Sequence, residues 1–238
     1  MPSIEPEFLL FMQSPAQFID HTLLRPDATE TQILRLCEEA VEYAFASVCI
    51  PPLFVPLVAR TIYGSSVSVG TVVGFPCGYN TTRHKVLEAQ ELACQGATDI
   101  DMVIAVGQFL SGKLTYVAEE ITQVVLAAPE AKIKVILECC WLDQEMMARL
   151  TDVVVRSGAD YVKTSTGFGP EGACEEDVRT LAQTAAGRIG VKAAGGIRDL
   201  ATCQRMLAAG ATRIGTSSGI KIVEQWKSYC AHCNDADV

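Results

Sequence analysis

The segment SGADYVKTSTGFG, residues 157–169, runs from the end of a predicted helix through a short apolar strand to a lysine and a series of small residues. Its first part recurs in two other places, as QGATDIDMV (95–103) and AGATRIGT (209–216). Each copy has a glycine, a small residue and then a β-rich run. Glycine ends a helix at low cost because it accepts positive φ, and a strand then begins. The three copies indicate a repeated helix–strand unit.

Strands and helices are predicted to alternate along the whole sequence. The apolar, β-rich runs are QFIDHTLL, ASVCI, VSVGTVVGF, ATDIDMVI, KIKVILE, DYVKTS, RIGVKAAGG and ATRIGTS. Helical periodicity covers residues 29–43, 82–95, 114–128, 143–157, 175–186, 200–209 and roughly 217–229. This order predicts an α/β fold with a single domain, a closed (β/α)₈ TIM barrel. The alternative is a doubly wound open sheet, which more often has a glycine-rich turn after its first strand, whereas FIDHTLLRPDAT has none.

Composition sets limits on the partners of the protein. The 238 residues are 49% apolar, which is enough to bury the core of one barrel-sized domain. The net charge of −9 predicts no general attraction to nucleic acid or to an anionic membrane, so any phosphate site must be a local pocket. The ten cysteines are scattered through apolar segments, and we expect most of them to be reduced packing residues.

The two ends of the sequence lie outside the repeated units. Residues 1–14 are predicted to be an N-terminal extension to a barrel domain at 15–238. The start has no basic region, and its apolar run FLLFM is too short for a signal peptide or a membrane span, so we expect a cytoplasmic protein. This run is a candidate for covering a partner in a homodimer. The terminal CAHC lacks a second ligand pair at a spacing suited to zinc, so no metal site is predicted.

Two lysines occupy equivalent positions on strands that should be neighbours. Lys163 lies in DYVKTS and Lys192 in IGVKAAGG, about 5 Å apart by the spacing of a sheet. Like charge and desolvation both disfavour a protonated amine, so one lysine would have a pKa below about 10.4 and be able to form a Schiff base. The alternative is that each lysine reaches solvent or pairs with a carboxylate such as Asp160.

Other charged or thiol side chains are predicted near the same mouth of the barrel. Asp99 and Asp101 alternate and should project to the same side, where Asp101 can transfer protons. Lys134 is expected to join them, and a structural ion pair with Asp101 is compatible with a catalytic role. Asp20 is predicted to end the first strand, where it either holds a hydroxyl or caps the following turn. Cys49 ends its strand and either faces the mouth or packs.

Three loops of small residues follow the later strands. They are TGFG at 166–169, AGG at 194–196 and GTSSG at 215–219, and the last opens the final helix. Unhindered backbone N–H groups and a helix N-terminus bind anions, and in barrels the loops after strands seven and eight often hold phosphate. These loops predict a site for a phosphate monoester.

In combination, these segments resemble the deoxyribose-phosphate aldolase family over nearly the whole chain. The matching segments are FIDHTLLRPDAT, FASVCIPP, TVVGFPCG, TDIDMVI, IKVILE, YVKTSTGFG, VKAAGGIRD and RIGTSSG. The resemblance implies a class I aldolase without a cofactor that reversibly cleaves 2-deoxy-D-ribose 5-phosphate to D-glyceraldehyde 3-phosphate and acetaldehyde. It implies that Lys163 forms the Schiff base, that Lys192 lowers the pKa of Lys163, and that Asp101 transfers protons with Lys192.

The resemblance also implies a pocket and a phosphate site. It places Asp20, Cys49 and Lys134 in the substrate pocket. The implied phosphate contacts are Gly167, Gly195, Gly196, Gly215, Ser217 and Ser218. The chain departs from some members in two ways: Phe168 stands where they carry a lysine, and the sequence ends NDADV where they end in a tyrosine.

Two other functions remain open at this stage. The first is another phosphosugar barrel, either a different Schiff-base aldolase or an imine-forming enzyme similar to thiazole synthase. The second is a noncatalytic barrel that binds a phosphosugar without turnover. Release of acetaldehyde separates the first from the predicted aldolase, and absence of turnover identifies the second.

Overall fold

The computed structural model describes residues 14–235, so the predicted N-terminal extension lies outside the described residues except for Ser14. Eight parallel strands form a closed barrel in sequence order. The strands are β1 Ile19–Thr22, β2 Ser47–Cys49, β3 Ser68–Val73, β4 Asp99–Val103, β5 Lys132–Ile136, β6 Tyr161–Lys163, β7 Gly190–Ala194 and β8 Arg213–Thr216. The predicted TIM barrel is therefore confirmed, and the open sheet is excluded.

Helices follow the strands and surround the barrel. They are α1 Glu30–Glu42, α2 Val55–Thr61, α3 Thr82–Cys94, α4 Val106–Leu110, α5 Leu114–Ala127, α6 Gln144–Arg156, α7 Glu175–Ala185, α8 Leu200–Ala208 and α9 Gly219–Asp235. The sequence did not predict the short helices α2 and α4, and α9 continues beyond the predicted end near residue 229. The CAHC segment lies at the end of α9, and the side chain of Cys233 is outside the described residues.

The predicted helix–strand unit depends on local backbone conformation at the helix ends. Gly96, Gly158 and Gly210 have φ of 108°, 81° and 110°, a region that glycine enters without steric cost. At the other end of a unit, Thr29 caps α1 in a capping box: its side chain accepts a hydrogen bond from the Gln32 N–H, and the Gln32 side chain accepts one from the Thr29 N–H at 2.9 Å. These signals explain why most of the predicted boundaries are accurate to one residue.

Alternation along the strands separates an apolar layer from a charged interior. Ile100 and Val162 are fully buried between the strands and the helices. The flanking residues Asp99, Asp101 and Lys163 are also buried but project into the barrel, because successive side chains of a strand point to opposite faces. Within residues 14–235, no helix is long and apolar enough to cross a lipid bilayer. The charged side chains of these strands therefore lie inside the barrel, and the hydrophobic core lies between the strands and the helices.

Candidate active site

A carboxylate joins the two predicted lysines. Lys163 and Lys192 are register partners on β6 and β7, and their exposures are 3% and 1%. Asp101 on β4 lies between them: its Oδ2 accepts from Lys163 Nζ at 2.7 Å and from Lys192 Nζ at 2.6 Å. The alternative partner, Asp160, instead accepts from the backbone N–H of Ile133 at 2.8 Å. The register is as predicted, but the two amines face each other across Asp101.

Lys134 extends the network to a second aspartate of β4. Its Nζ lies 3.4 Å from Asp101 Oδ1, so the predicted ion pair is present. Its nearer partner is Asp99, to which it donates a short hydrogen bond. All three residues are 1% exposed. Such a buried cation is stable only with well-placed countercharge, which the two aspartates provide.

Asp20 occupies a different position from the one predicted. It lies inside β1 rather than at its end, and its carboxylate does not cap the following turn because three cations surround it. Oδ1 accepts from Arg213 Nη1 at 2.9 Å, while Oδ2 lies 2.5 Å from Lys192 Nζ and 4.0 Å from Lys134 Nζ. Sequence reasoning missed Arg213, although it is a charged residue in the strand segment ATRIGTS.

The network gives the two lysines opposite pKa shifts. Burial and the neighbouring Lys192 cation lower the pKa of Lys163, against the attraction of Asp101. Burial also acts to lower the pKa of Lys192, but the carboxylates of Asp101 and Asp20 outweigh it and raise that pKa. Burial acts to raise the pKa of Asp101, yet the lysines hold it well below its usual range. Of the two amines, the one of Lys163 therefore loses its proton more easily.

Cys49 ends β2, as predicted, and is 2% exposed. Burial, with a further contribution from the Asp101 carboxylate, raises the pKa of its thiol to about 11. The thiolate is the reactive form of cysteine, so burial disfavours the reactive form of Cys49 at neutral pH.

A cavity of about 530 Å³ lies above the network at the carboxyl ends of the strands. The three predicted loops converge on it, together with residues 22–25 after β1. Lys163 reaches its surface. The lining includes five of the predicted phosphate contacts, namely Gly167, Gly195, Gly196, Gly215 and Ser217. Ser218 does not line it, and its N–H donates to Thr216 Oγ1 at 2.9 Å.

The backbone around the cavity depends on glycine. Gly195 and Gly196 have φ of 91° and 79°. A Cβ at Gly195 would lie 2.8 Å from the Cα of Gly172, so a larger residue would displace the loop. Successive N–H groups in such a conformation form a concave site that attracts anions. The loop after β7 therefore requires glycine to keep this conformation.

Two arginines that sequence reasoning missed also line the cavity. Arg25 follows β1 and pairs with Asp27 at 2.9 Å, and Arg198 is an exposed residue before α8. Both lie in segments already notable in the sequence, RPDAT and GGIRD. Phe168, which stands where some family members have a lysine, packs edge-on against Phe75 with ring centroids 5.3 Å apart. The guanidinium groups thus supply positive charge at a mouth where that lysine is missing.

The closed barrel thus holds a buried network of lysines and aspartates below a cavity that glycine-rich loops and two arginines line. The chain belongs to the DeoC/LacD family of aldolases, whose family model matches residues 16–225.

Several relatives support this membership. A deoxyribose-phosphate aldolase of Syntrophotalea carbinolica is 51% identical over 216 residues, which are 91% of this chain and 98% of that protein. One of Thermus thermophilus is 49% identical over 87% of this chain and 94% of that protein. The structure named QR15, an aldolase, has a TM-score of 0.87 and 40% identity over 91% of this chain and 97% of its own. The tetrameric deoxyribose phosphate aldolase of Aeropyrum pernix has a TM-score of 0.84 and 37% identity over 94% and 93%.

Proposed function

We propose that residues 15–238 form a class I aldolase that reversibly cleaves 2-deoxy-D-ribose 5-phosphate to D-glyceraldehyde 3-phosphate and acetaldehyde, in deoxyribose phosphate catabolism. The reaction proceeds through a Schiff base on Lys163 and uses no cofactor. The observation that carries the proposal is the Lys163 amine: it is buried, its pKa is lowered, and it reaches a cavity bounded by three loops of small residues. The names of the relatives at about half identity support the substrate.

The first half of the reaction forms the imine. The neutral Lys163 amine attacks the C1 aldehyde of the open-chain sugar, and the resulting carbinolamine loses water to give a protonated imine. Lys192, whose pKa is raised, is the acid that protonates the departing hydroxyl. It lies 2.6 Å from the same Asp101 oxygen that Lys163 contacts, so both amines are near the reacting carbon.

The second half breaks the C2–C3 bond. A base removes the proton of the C3 hydroxyl, the C2–C3 electron pair moves into the iminium, and glyceraldehyde 3-phosphate leaves an enamine on Lys163. The enamine is protonated at C2, and water then hydrolyses the imine to release acetaldehyde. Asp101 is the base in this scheme, because it is ionised and contacts both amines. The proton passes from Asp101 to Lys192, which is neutral after it has protonated the departing hydroxyl, and Lys192 then donates it to C2 of the enamine.

The phosphate binds at the loops after β6, β7 and β8. Gly167, Gly195, Gly196, Gly215 and Ser217 offer backbone and small side-chain contacts, and the charges of Arg25 and Arg198 add attraction. Ser218 was predicted to contact the phosphate, and in this proposal it supports the loop through Thr216. Asp20, Cys49 and Lys134 lie below the cavity and shape the network rather than the phosphate site.

Borohydride trapping tests the proposal. The protein is incubated with deoxyribose 5-phosphate and borohydride, which reduces an imine to a stable amine, and the adduct is located by peptide mass spectrometry. We expect a reduced ethyl or sugar adduct confined to Lys163, and we expect Lys163→Ala to lower acetaldehyde release by roughly 10⁴-fold or more. Lys132→Ala is the matched control, because Lys132 is an exposed lysine of β5. An active Lys163→Ala variant would refute the mechanism.

The same assay separates the alternatives. An adduct at Lys163 without acetaldehyde release would indicate a different Schiff-base enzyme of phosphosugars. Bound ligand with neither adduct nor turnover would indicate a binding protein. The homodimer and the cytoplasmic location stay predictions; the Aeropyrum relative is tetrameric, and sedimentation of this chain measures its own state.

A further inference from the structure

A partly buried arginine lies at the floor of the barrel, below the lysine network. Arg213 opens β8 as the register partner of Lys192, and its side chain is 12% exposed. Its Nη1 donates to Asp20 Oδ1 at 2.9 Å, and its Cζ lies 5.7 Å from the ring centroid of Tyr161. The ring has room because its neighbour on β7 is Gly190, where a Cβ would overlap it. The guanidinium is thus held between a carboxylate and an aromatic face.

Alternating charges connect this arginine to the nucleophile. Asp20 Oδ1 contacts Arg213, while Asp20 Oδ2 lies 2.5 Å from Lys192 Nζ. Lys192 then donates to Asp101 Oδ2 at 2.6 Å, and Lys163 donates to the same oxygen at 2.7 Å. Each link is a direct ion pair, and Asp20, Lys192, Asp101 and Lys163 are buried while Arg213 is partly buried. A change of charge at the floor therefore acts on Lys163 through a medium that screens poorly.

The formal charges of the network do not balance when every group is ionised. There are three carboxylates against four cations: Asp20, Asp99 and Asp101 against Lys134, Lys163, Lys192 and Arg213. The count becomes three against three when one lysine is neutral. Lys163 is the natural candidate, because it contacts one carboxylate whereas Lys192 contacts two and Lys134 three.

We propose that Arg213 is a positioning residue for the reaction: its fixed charge at the floor balances Asp20 and thereby keeps the Lys163 amine neutral. Arg213 does not line the cavity and acts only through Asp20, Lys192 and Asp101. The inference rests on the proposed function, because it requires Lys163 to be the nucleophile. The titratable groups that face Lys163 are Asp101 of β4, Lys192 of β7 and Cys49 of β2; those that face Arg213 are Asp20 of β1 and Tyr161 of β6.

The sign of the effect follows from the count. Arg213→Gln leaves three carboxylates with three lysines, so the balanced state is the one with Lys163 protonated. The amine then loses its proton at a higher pH than in the parent protein. A unit charge on the order of 10 Å away, at an effective dielectric constant of about 20, moves a pKa by about one unit. We expect the acid limb of the pH profile to move upward by that amount, a roughly tenfold loss of rate at a fixed pH on the limb.

The experiment is the pH dependence of kcat/KM for acetaldehyde release, which reports ionisations of the free enzyme. Three proteins are compared: the parent, Arg213→Gln and Arg213→Lys. Trapping of the Lys163 adduct in the parent protein tests the proposed function separately. We expect Arg213→Lys, which keeps the charge, to retain the parent limb. Thermal unfolding of each variant checks that it is folded.

Two results would overturn the inference while the proposed function stands. One is an adduct at Lys163 in the parent together with an acid limb that does not move in Arg213→Gln. If Arg213 only stabilises the floor of the barrel, this result is expected together with a lower melting temperature of the variant. The other is an equal shift in Arg213→Lys, which would assign the effect to shape rather than charge. If Arg213→Gln does not fold, Arg213→Met replaces it, because its apolar stem can still pack on Tyr161. A parent protein without any adduct refutes the function itself.

Discussion

A second buried ion pair, outside the active site, should stabilise the barrel more than any surface pair. Lys85 of α3 and Glu120 of α5 are both 0% exposed, and Lys85 Nζ lies 2.8 Å from Glu120 Oε1. Lys85 also donates to the carbonyl of Val103 at 2.8 Å, while Glu120 Oε2 accepts from the Ala105 N–H at 3.0 Å. The pair therefore ties two helices to the end of β4, the strand that carries Asp101.

Removing one partner leaves the other charged and buried. Lys85→Met leaves the Glu120 carboxylate with a single N–H donor, and Glu120→Gln leaves the Lys85 ammonium without its carboxylate partner. Breaking such a pair costs about 3–5 kcal/mol. Burial already raises the pKa of Glu120, so its carboxyl can take up a proton when Lys85 is removed. We therefore expect the loss of unfolding free energy in Lys85→Met to lie near the lower end of this range. For a protein of this size, about 3 kcal/mol lowers the melting temperature by roughly 6–12 °C.

A double-mutant cycle in urea measures the coupling. Lys85→Met with Glu120→Gln removes both charges, so its loss of unfolding free energy should be smaller than the sum of the single losses by about 2 kcal/mol or more. The control is the exposed pair of Lys227 and Glu224, with atoms 2.9 Å apart, for which we expect a coupling below about 1 kcal/mol. Strict additivity at the buried pair, or single variants as stable as the parent, would refute this reasoning.

Two further predictions concern acid and thiol chemistry. Neighbouring lysines hold the pKa of Asp20 and Asp101 well below the usual range, and Arg213 contributes at Asp20. The two carboxylates therefore stabilise the folded protein above about pH 4, and this stability is lost as the pH falls toward the lowered pKa values. Urea unfolding between about pH 2 and pH 7 should show this decline, and a flat profile would contradict it. Iodoacetamide at about pH 8 should modify exposed Cys94 but spare Cys49, because burial raises the pKa of the Cys49 thiol to about 11. Peptide mass spectrometry measures the labelling of each cysteine, and equal labelling of the two would contradict this prediction.

The sequence was informative where structure is local. Helix periods, glycine at helix ends and β-rich runs predicted all eight strands of the described barrel and the longer helices. The two missed helices are those with too few residues for a period to appear: Val55–Thr61 has seven residues and Val106–Leu110 has five. The hydrophobic period that separates an amphipathic helix from a loop becomes visible only over a longer stretch than either of these segments.

The site was predictable only in part, because barrel closure brings distant residues together. The register of Lys163 and Lys192 follows from two similar strands that are adjacent in sequence order. The contact between Arg213 and Asp20 joins the last strand to the first, 193 residues apart, and no local pattern indicates it. The same closure explains why Asp20 binds cations instead of capping a turn: its side chain points into the barrel, where the cations of β5, β7 and β8 meet.

The difference between the two lysines shows what closure adds to the chemistry. Lys163 and Lys192 are equivalent by register and almost equally buried, so desolvation alone would lower both pKa values. Of these two lysines, Lys192 also reaches Asp20, with its Nζ 2.5 Å from Oδ2, whereas the ion-pair partner of Lys163 is Asp101. A second carboxylate reverses the effect of burial at Lys192 and leaves it cationic, and that cation helps to keep Lys163 deprotonated. In the proposed mechanism, the nucleophile is thus the amine that contacts fewer carboxylates.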